Sequence, residues 1–314
     1  MNKYNNKIAV TTGDINGIGS EIVIKALNEL DLDSDRVVII TNKKSFGLYP
    51  ELEREYEIID IPYDSDVEFG KISAQSGEFS FLSLKKACEI RPRAIVTAPV
   101  SKEALHLAGY KFNGQTEVIE HFLAHDNQRA EMLFVSNGFR VLLLTRHCSL
   151  ADVPKIITKD LIIEKTERLN NFLKDKCNIL NPKLALCSLN PHAGESGILG
   201  KEEIDVVIPA VKELNKSGID VSYPLPSDTL FVKAARNYYN DEKLPYDCYI
   251  AMYHDQGLIP IKTVAASKTV NMTIGLDIIR TSPSHGTAFD IAGKNIADYS
   301  SMCEAIKEAL VMTE

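Results

Sequence analysis

Short apolar runs alternate with amphipathic segments along most of this 314-residue chain, and this alternation restricts the possible folds more than any other sequence feature. Lys7–Thr12, Val37–Thr41 and Ala94–Ala98 have the length and β-branched content of buried strands. Ser20–Leu30 carries apolar residues at helical spacing, and Lys102–Ala108 predicts another helix. Strands that alternate with helices are typical of βαβ units, so we expect an α/β fold with a mainly parallel sheet.

The middle of the chain departs from this rhythm. Met132–Ser136 and Phe139–Thr145 flank Asn137-Gly138, a dipeptide typical of two-residue β-hairpins. An antiparallel ribbon is therefore predicted here. The alternation then resumes, with helices predicted at Asp160–Leu173, Glu202–Lys216 and Met302–Val311 and strands at Lys183–Leu189, Cys248–Tyr253 and Thr269–Ile274.

Length, charge and composition restrict the class of protein. At roughly 150 residues per domain, two domains are expected. Because the hairpin begins a different region, we predict one domain from residues 1–113 with 265–314 and a second from residues 114–264. The net charge of −8 argues against a nucleic-acid partner. The apolar runs are too short to span a membrane, and the N-terminus lacks the apolar segment of a signal peptide, so a cytoplasmic location is expected.

Three histidines follow apolar strands directly. His147, His192 and His254 each stand just beyond the carboxyl end of a predicted strand. Ligands of open α/β sheets bind at that edge, so the three imidazoles can converge despite their separation in sequence. Three protein ligands with one open position form a catalytic site for zinc or another divalent metal. Hydrogen-bonded structural histidines are the alternative, and the spacing alone does not decide between the two.

Two turns rich in small residues are candidate ligand loops. Gly13 and Asp14 begin the turn that joins the first strand to the first helix, where glycines allow an anion to approach a helix N-terminus. This turn is neither a GxGxxG motif nor a P-loop. The second turn carries small and polar side chains at His285, Gly286, Thr287 and Asp290. An ordinary structural turn remains an alternative interpretation of both.

A third candidate is a set of phosphate contacts. Lys262, Asn271 and Arg280 supply two cations and an amide within one stretch of sequence. Such a set suits a phosphate, and arginine can bind it through two parallel hydrogen bonds. Solvated surface positions are the alternative for each residue taken singly.

Four longer motifs accompany these residues, and they are Thr97–Lys102, Leu189–Glu195, Pro224–Phe231 and Ala251–Leu258. Together with Asn271 and Arg280, they resemble the 4-hydroxythreonine-4-phosphate dehydrogenase family of pyridoxal phosphate biosynthesis. The resemblance extends from Gly13 to Gly293. The two small-residue turns are similar to those of the wider isocitrate and isopropylmalate dehydrogenase superfamily.

The resemblance implies two α/β/α domains with the active site in a cleft between them, in a homodimer whose sites are completed across the interface. It implies a divalent metal on His147, His192 and His254, with ligands drawn from both subunits. Zinc is the metal most expected, and magnesium, cobalt and manganese are alternatives. NAD, with NADP as the alternative, would lie against the Asp14 turn and the His285–Asp290 loop.

The resemblance also implies the substrate contacts, which are Gln115, Thr116, Lys262, Asn271 and Arg280. Gln115 stands where the family commonly has a histidine, so a change at this contact can alter substrate preference. Lys102 and Asp228 are the candidates for the base that accepts the proton of the substrate hydroxyl.

The implied reaction is NAD-dependent oxidation of 4-phosphohydroxy-L-threonine to a β-keto acid, which loses carbon dioxide to give 3-amino-2-oxopropyl phosphate. An NAD-dependent dehydrogenase of threonate or erythronate 4-phosphate is the alternative with the same chemistry. Two other classes stay open. A phosphate acyltransferase uses a related two-domain fold without three metal histidines, and a metabolite-binding protein without turnover would account for the changed residue at Gln115.

Overall fold

The computed structural model describes residues 2–49, 52–126 and 128–313. The chain forms two compact units. Unit 1 contains the residues up to 130 together with those from 270 onward, and unit 2 contains residues 131–269.

Unit 1 begins with alternating strands and helices, as the sequence predicts. The elements are β1 (Ile8–Thr11), α1 (Gly19–Leu30), β2 (Val37–Thr41), α2 (Lys43–Phe46), β3 (Glu57–Asp60), α3 (Ala74–Glu89), β4 (Ala94–Thr97), α4 (Lys102–Leu107) and α5 (Gln115–Leu123). Strand β1 pairs in parallel with β2 and with β4, and β2 pairs in parallel with β3. Strands β1, β2 and β4 are buried along their whole length, as expected for strands covered on both faces.

Unit 2 opens with the predicted hairpin. Its elements are β5 (Glu131–Ser136), β6 (Phe139–Leu143), α6 (Val153–Ile156), α7 (Lys159–Asp175), β7 (Leu184–Leu186), α8 (Ile208–Lys216), α9 (Ser227–Tyr239), β8 (Cys248–Ala251) and α10 (His254–Ala265). Asn137 and Gly138 have φ of 42° and 78°, the left-handed values of a two-residue hairpin turn. The strand order is β5-β6-β8-β7, in which the hairpin is antiparallel and the other two pairs are parallel.

The chain returns to unit 1 with β9 (Val270–Ile274), β10 (Ile279–Pro283) and α11 (Ser300–Val311). Strand β10 pairs in parallel with β4 and antiparallel with β9, which completes the order β3-β2-β1-β4-β10-β9. The sheet of unit 1 is therefore mainly parallel, as expected from the sequence.

The compact units divide the chain at different residues from the predicted domains. Residues 114–130 lie in unit 1, because α5 packs against α3. Residues 265–269 lie in unit 2, where Ala265 ends α10 and the other four residues follow it directly.

Alternate residues along the strands of unit 1 face two separate cores. Val10 belongs to a core formed with helices α1 and α11, and Ala9 belongs to a core formed with α3 and α5. Helices therefore cover both faces of this sheet, which confirms an α/β fold. In the part of the chain that the structure describes, no helix is long and apolar enough to cross a membrane.

Candidate active site

Two of the three predicted metal ligands meet at the sheet edge of unit 2. His147 lies four residues beyond the end of β6, and His254 begins α10 three residues beyond the end of β8. These two strands are parallel neighbours. The imidazole ring centres are 5.8 Å apart. Nitrogen–zinc bonds of about 2.0–2.1 Å allow two rings on one ion to stand up to roughly 6 Å apart. The pair therefore fits two ligands of a shared ion.

The surroundings of this pair suit a polar ligand. Both histidines line a cavity of about 350 Å³ together with Arg146, Tyr253 and Asp255. His254 Nδ1 lies 2.7 Å from Asp255 Oδ1. A carboxylate on Nδ1 leaves Nε2 as the metal-binding nitrogen, which is the usual arrangement for a histidine ligand.

His192 lies elsewhere in unit 2. It lines a second cavity of about 520 Å³, which also includes Asp228, Gln256 and the same Tyr253 and Asp255. Among the described residues, no group of three His, Cys, Asp or Glu side chains is placed to hold a metal ion. One chain thus brings two predicted ligands together and places the third beside them in a neighbouring cavity.

Arg280 is the most deeply buried cation of the predicted substrate site. It lies on β10 with 2% of its surface exposed, and its Nε and Nη2 atoms donate to Thr97 Oγ1 at 2.9 and 2.7 Å. Nη1 is buried without a hydrogen-bond partner. Burial lowers the pKa of Arg280 to about 9, so the guanidinium stays charged at neutral pH. A buried cation with an unused donor is suited to an anionic group of a ligand.

Two predicted amide contacts also carry unused polar atoms. Gln115 Nε2 donates to the Ala98 carbonyl at 3.1 Å, which fixes the amide and leaves Oε1 buried without a partner. Asn271 pairs with Ser282 across β9 and β10, and its Oδ1 is likewise buried without a partner. A bound ligand could supply hydrogen-bond partners for these atoms, so the three residues remain candidates for substrate contacts. Thr116, beside Gln115, is 5% exposed.

The remaining predicted substrate and catalytic residues divide between the units. Lys262 lies on α10 of unit 2, where burial lowers the pKa of its ammonium group. Lys102 is exposed at the start of α4, after Ser101, whose hydroxyl accepts from the Ala104 amide at 3.1 Å. Asp228 is exposed near the start of α9 in unit 2. The choice of base between Lys102 and Asp228 stays a prediction.

The two predicted cofactor turns touch each other in unit 1. The Ile18 amide donates to the Thr287 carbonyl at 3.1 Å. Gly13 has φ of 67°, and a Cβ there would lie 2.2 Å from the Pro99 carbonyl oxygen, so close packing alone requires glycine. His285 and Gly286 are exposed. The second turn is therefore the one that a cofactor could contact directly.

Asp14 takes part in this arrangement from inside the protein. Its side chain is 0% exposed, and it accepts from the Asn16 amide at 3.0 Å and from Ser76 Oγ at 3.3 Å. Burial raises the pKa of Asp14 to about 6, against the hydrogen bonds, which lower it. These contacts favour a role in shaping the turn over direct contact with a cofactor.

Two residues of the site have a role that sequence reasoning did not assign. Thr97 accepts both donors of Arg280, and Asp255 contacts His254 and lines both cavities. Thr97 ends β4, and Asp255 lies in the first turn of the helix that follows β8. Their position at the carboxyl edge of the sheet is the sequence feature that could have identified them as site residues.

Comparison with known proteins places this geometry in a family context. Residues 11–309 match the family described as pyridoxal phosphate biosynthetic protein PdxA. A 4-hydroxythreonine-4-phosphate dehydrogenase of Sulfurihydrogenibium sp. is 40% identical, with 98% of each chain covered. A D-threonate 4-phosphate dehydrogenase of Cupriavidus necator is 36% identical over 98% of this chain and 97% of its own length. The crystal structure of a 4-hydroxythreonine-4-phosphate dehydrogenase from Klebsiella pneumoniae superposes with a TM-score of 0.85 at 34% identity, covering 98% of this chain and 100% of that one.

Proposed function

The chain belongs to the pyridoxal phosphate biosynthetic protein PdxA family, and on that premise we propose that it is an NAD-dependent dehydrogenase of 4-phosphohydroxy-L-threonine. The product would be a β-keto acid that loses carbon dioxide to give 3-amino-2-oxopropyl phosphate. The observation that carries the proposal is Arg280, a predicted substrate residue whose buried guanidinium has one nitrogen, Nη1, without a hydrogen-bond partner.

We expect Arg280 to bind the phosphate group of the substrate. Thr97 Oγ1 accepts hydrogen bonds from Nε and Nη2 of the guanidinium, so the remaining nitrogen, Nη1, is oriented before a ligand binds. Such preorganisation reduces the entropy lost on binding. Asn271 and Thr116 are further contacts from unit 1, and Lys262 remains a proposed phosphate contact from unit 2.

The metal would be shared between subunits of a homodimer. The support is that His147 and His254 meet within one chain and that His192 lies in a different cavity. We assign the pair to one subunit and His192 to the other, with zinc as the expected ion and magnesium, cobalt or manganese as alternatives. When bound, such an ion supplies Lewis acidity toward a substrate hydroxyl.

The nicotinamide cofactor would lie against the second turn, near His285, Gly286 and Asp290. The nicotinamide supplies the hydride acceptor, and the protein supplies its position. The first turn, with Gly13 and Asp14, would hold the second turn in place through the hydrogen bond from the Ile18 amide to the Thr287 carbonyl. NADP remains the alternative to NAD.

The Cupriavidus necator relative favours a second candidate substrate. Gln115, which stands where the family commonly has a histidine, is a contact that can alter substrate preference. D-threonate 4-phosphate, named for the Cupriavidus necator relative, has the same phosphate and a hydroxyl in place of the amino group.

Production of NADH by the purified protein tests both candidates. The substrates are 4-phosphohydroxy-L-threonine, D-threonate 4-phosphate and erythronate 4-phosphate, each assayed before and after chelation, with R280K as a variant of weakened phosphate binding. Chelator-sensitive turnover of the amino acid substrate supports the first proposal, and turnover of only the sugar acid phosphates supports the second. Retained NAD binding without turnover of any substrate would contradict both and favour a metabolite-binding protein.

A further inference from the structure

The segment that carries His192 has a backbone conformation that L-amino acids avoid. Within the turn Pro191–Gly197, five consecutive residues have left-handed φ, with values of 51°, 54°, 77°, 42° and 57° from His192 to Ser196. Only one of the five is glycine. Left-handed residues normally occur singly, because Cβ approaches the following carbonyl oxygen. This turn therefore persists only because the surrounding structure holds it.

Glu203 contacts the two residues that directly precede the turn. Its carboxylate is 1% exposed, and Oε1 accepts hydrogen bonds from the Leu189 and Asn190 amides, both at 2.8 Å. Oε2 accepts from Asn190 Nδ2, also at 2.8 Å, and Nδ2 donates to Glu202 Oε2 as well, at 2.7 Å. Across the described ranges, Glu203 forms no ion pair with a lysine or arginine. The three donors of this loop therefore stabilise a carboxylate that would otherwise be unfavourable in the interior.

The backbone around Glu203 allows its carboxylate to lie in close contact with the turn. Glu203 begins a π-helical turn, Glu203–Val207, and such turns are frequent at functional sites. A Cβ at Gly194 would lie 2.9 Å from Glu203 Oε2, and one at Gly200 would lie 2.4 Å from Asn190 Nδ2. Larger residues at either glycine would push the turn away from the carboxylate.

We propose that Glu203 is a positioning residue for His192. By holding the backbone at Leu189 and Asn190, the buried carboxylate fixes the start of the left-handed turn and so the direction in which His192 leaves it. His192 itself is exposed and lines the larger cavity of unit 2. The inference rests on the proposed role of His192 as a metal ligand.

The test uses E203Q in the full-length protein. Glutamine keeps the size and can still accept from the two amides, but its Nε2 would face Asn190 Nδ2, donor against donor. The matched control is D205N, an exposed acidic residue of the same π-helical turn. Amide hydrogen exchange measures the turn, and titration with zinc ion alone measures the metal affinity.

For E203Q we expect exchange at residues 189–197 to accelerate about 10-fold to 100-fold, since charge-assisted hydrogen bonds are lost. Zinc affinity should fall about 10-fold or more, as for other groups that orient metal ligands. D205N should change neither quantity. Should E203Q fail to fold, N190A removes one donor, keeps the carboxylate and is expected to shift both readouts in the same direction.

Three results would overturn the proposal. These are unchanged exchange at residues 189–197, acceleration spread evenly over unit 2, and a looser turn with unaltered zinc affinity. None of the measurements needs a substrate or turnover. Failure of the proposed dehydrogenase activity would appear separately, as absence of NADH production by the unmodified protein.

Discussion

Arg280 depends on a single hydroxyl for its orientation. Thr97 Oγ1 accepts from both Nε and Nη2, so its removal leaves two buried donors of a charged group without an acceptor. We expect T97V to lower the free energy of unfolding by about 2–3 kcal/mol and to weaken phosphate binding at least 10-fold. Urea unfolding and titration with the phosphorylated substrates measure the two effects. T97S keeps the acceptor and is the control; equal losses in T97S and T97V would contradict the assigned role of the hydroxyl.

Asp14 makes stability depend on pH in a direction opposite to that of most carboxylates. Its folded-state pKa is raised from 3.8 to about 6 by burial. The resulting contribution to stability is fully present below pH 3.8 and is lost as pH rises through about 6. D14N removes this ionisation, so it should be more stable than the unmodified protein by about 2–3 kcal/mol at pH 8.

The measurement for Asp14 is the denaturant midpoint of both proteins at pH 5 and pH 8. The advantage of D14N should shrink markedly at pH 5, where Asp14 is already largely protonated. S76A, which removes one hydrogen bond to the carboxylate, serves as a comparison that keeps the ionisable group. An identical difference between D14N and the unmodified protein at both pH values would rule out the raised pKa.

At the scale of single residues, the sequence predicted which side chains could bind a ligand better than it predicted which residues they contact. The charge of Arg280 predicts a phosphate contact, and that role stays a prediction, whereas its deep burial becomes visible only in the structure. The dependence of Arg280 on Thr97 could not be predicted, because the two residues are 183 positions apart and meet only through sheet pairing. Glu203 was missed for a similar reason, since its three donors, on Leu189 and Asn190, are 14 and 13 positions away and meet the carboxylate only in the folded chain.

Helix α3 shows how packing can reverse a local preference. Gly77 lies inside this helix, where alanine would ordinarily be favoured by about 1 kcal/mol. A Cβ at this position would lie 2.0 Å from the Ala104 carbonyl oxygen of α4. G77A should therefore destabilise unit 1, by about 1–3 kcal/mol or more.

Thermal and denaturant unfolding of G77A provide the check, with E78A as the control. Glu78 is the exposed neighbour on the same helix, so its replacement should leave stability nearly unchanged. A gain in stability for G77A would show that α3 and α4 are not in close contact at this point.

At the element scale, local signatures were sufficient for some structures and not for others. Asn137-Gly138 predicted the β5–β6 hairpin because its turn geometry is encoded in two residues. Helix α3 lacks an apolar stripe, since its buried face includes Ser76, Ser80 and Ser83, two of which hydrogen-bond to the Gly13–Asp14 turn. Apolar periodicity cannot reveal a helix whose buried face is partly polar.

For the whole molecule, the arrangement of histidines predicts a pattern of complementation between inactive variants. If His147 and His254 serve one site and His192 serves the other subunit's site, a heterodimer of H147A and H192A keeps one intact site. Random exchange of subunits should then restore about a quarter of the unmodified activity, as two-fold symmetry requires. A mixture of H147A and H254A should restore none, because each subunit lacks a member of the pair. Rescue in both mixtures, or in neither, would exclude the assigned sharing of ligands.

If the proposed dimer shares its metal, the separation of His192 from the other two histidines also makes metal occupancy depend on protein concentration. A lone subunit offers two neighbouring imidazoles, which hold an ion far less firmly than a complete set. Dilution that dissociates the dimer should therefore release zinc, and added zinc should tighten the dimer by the same factor, because thermodynamic linkage is reciprocal. The cell's supply of the ion would then regulate how much of this protein is assembled as well as how much is active.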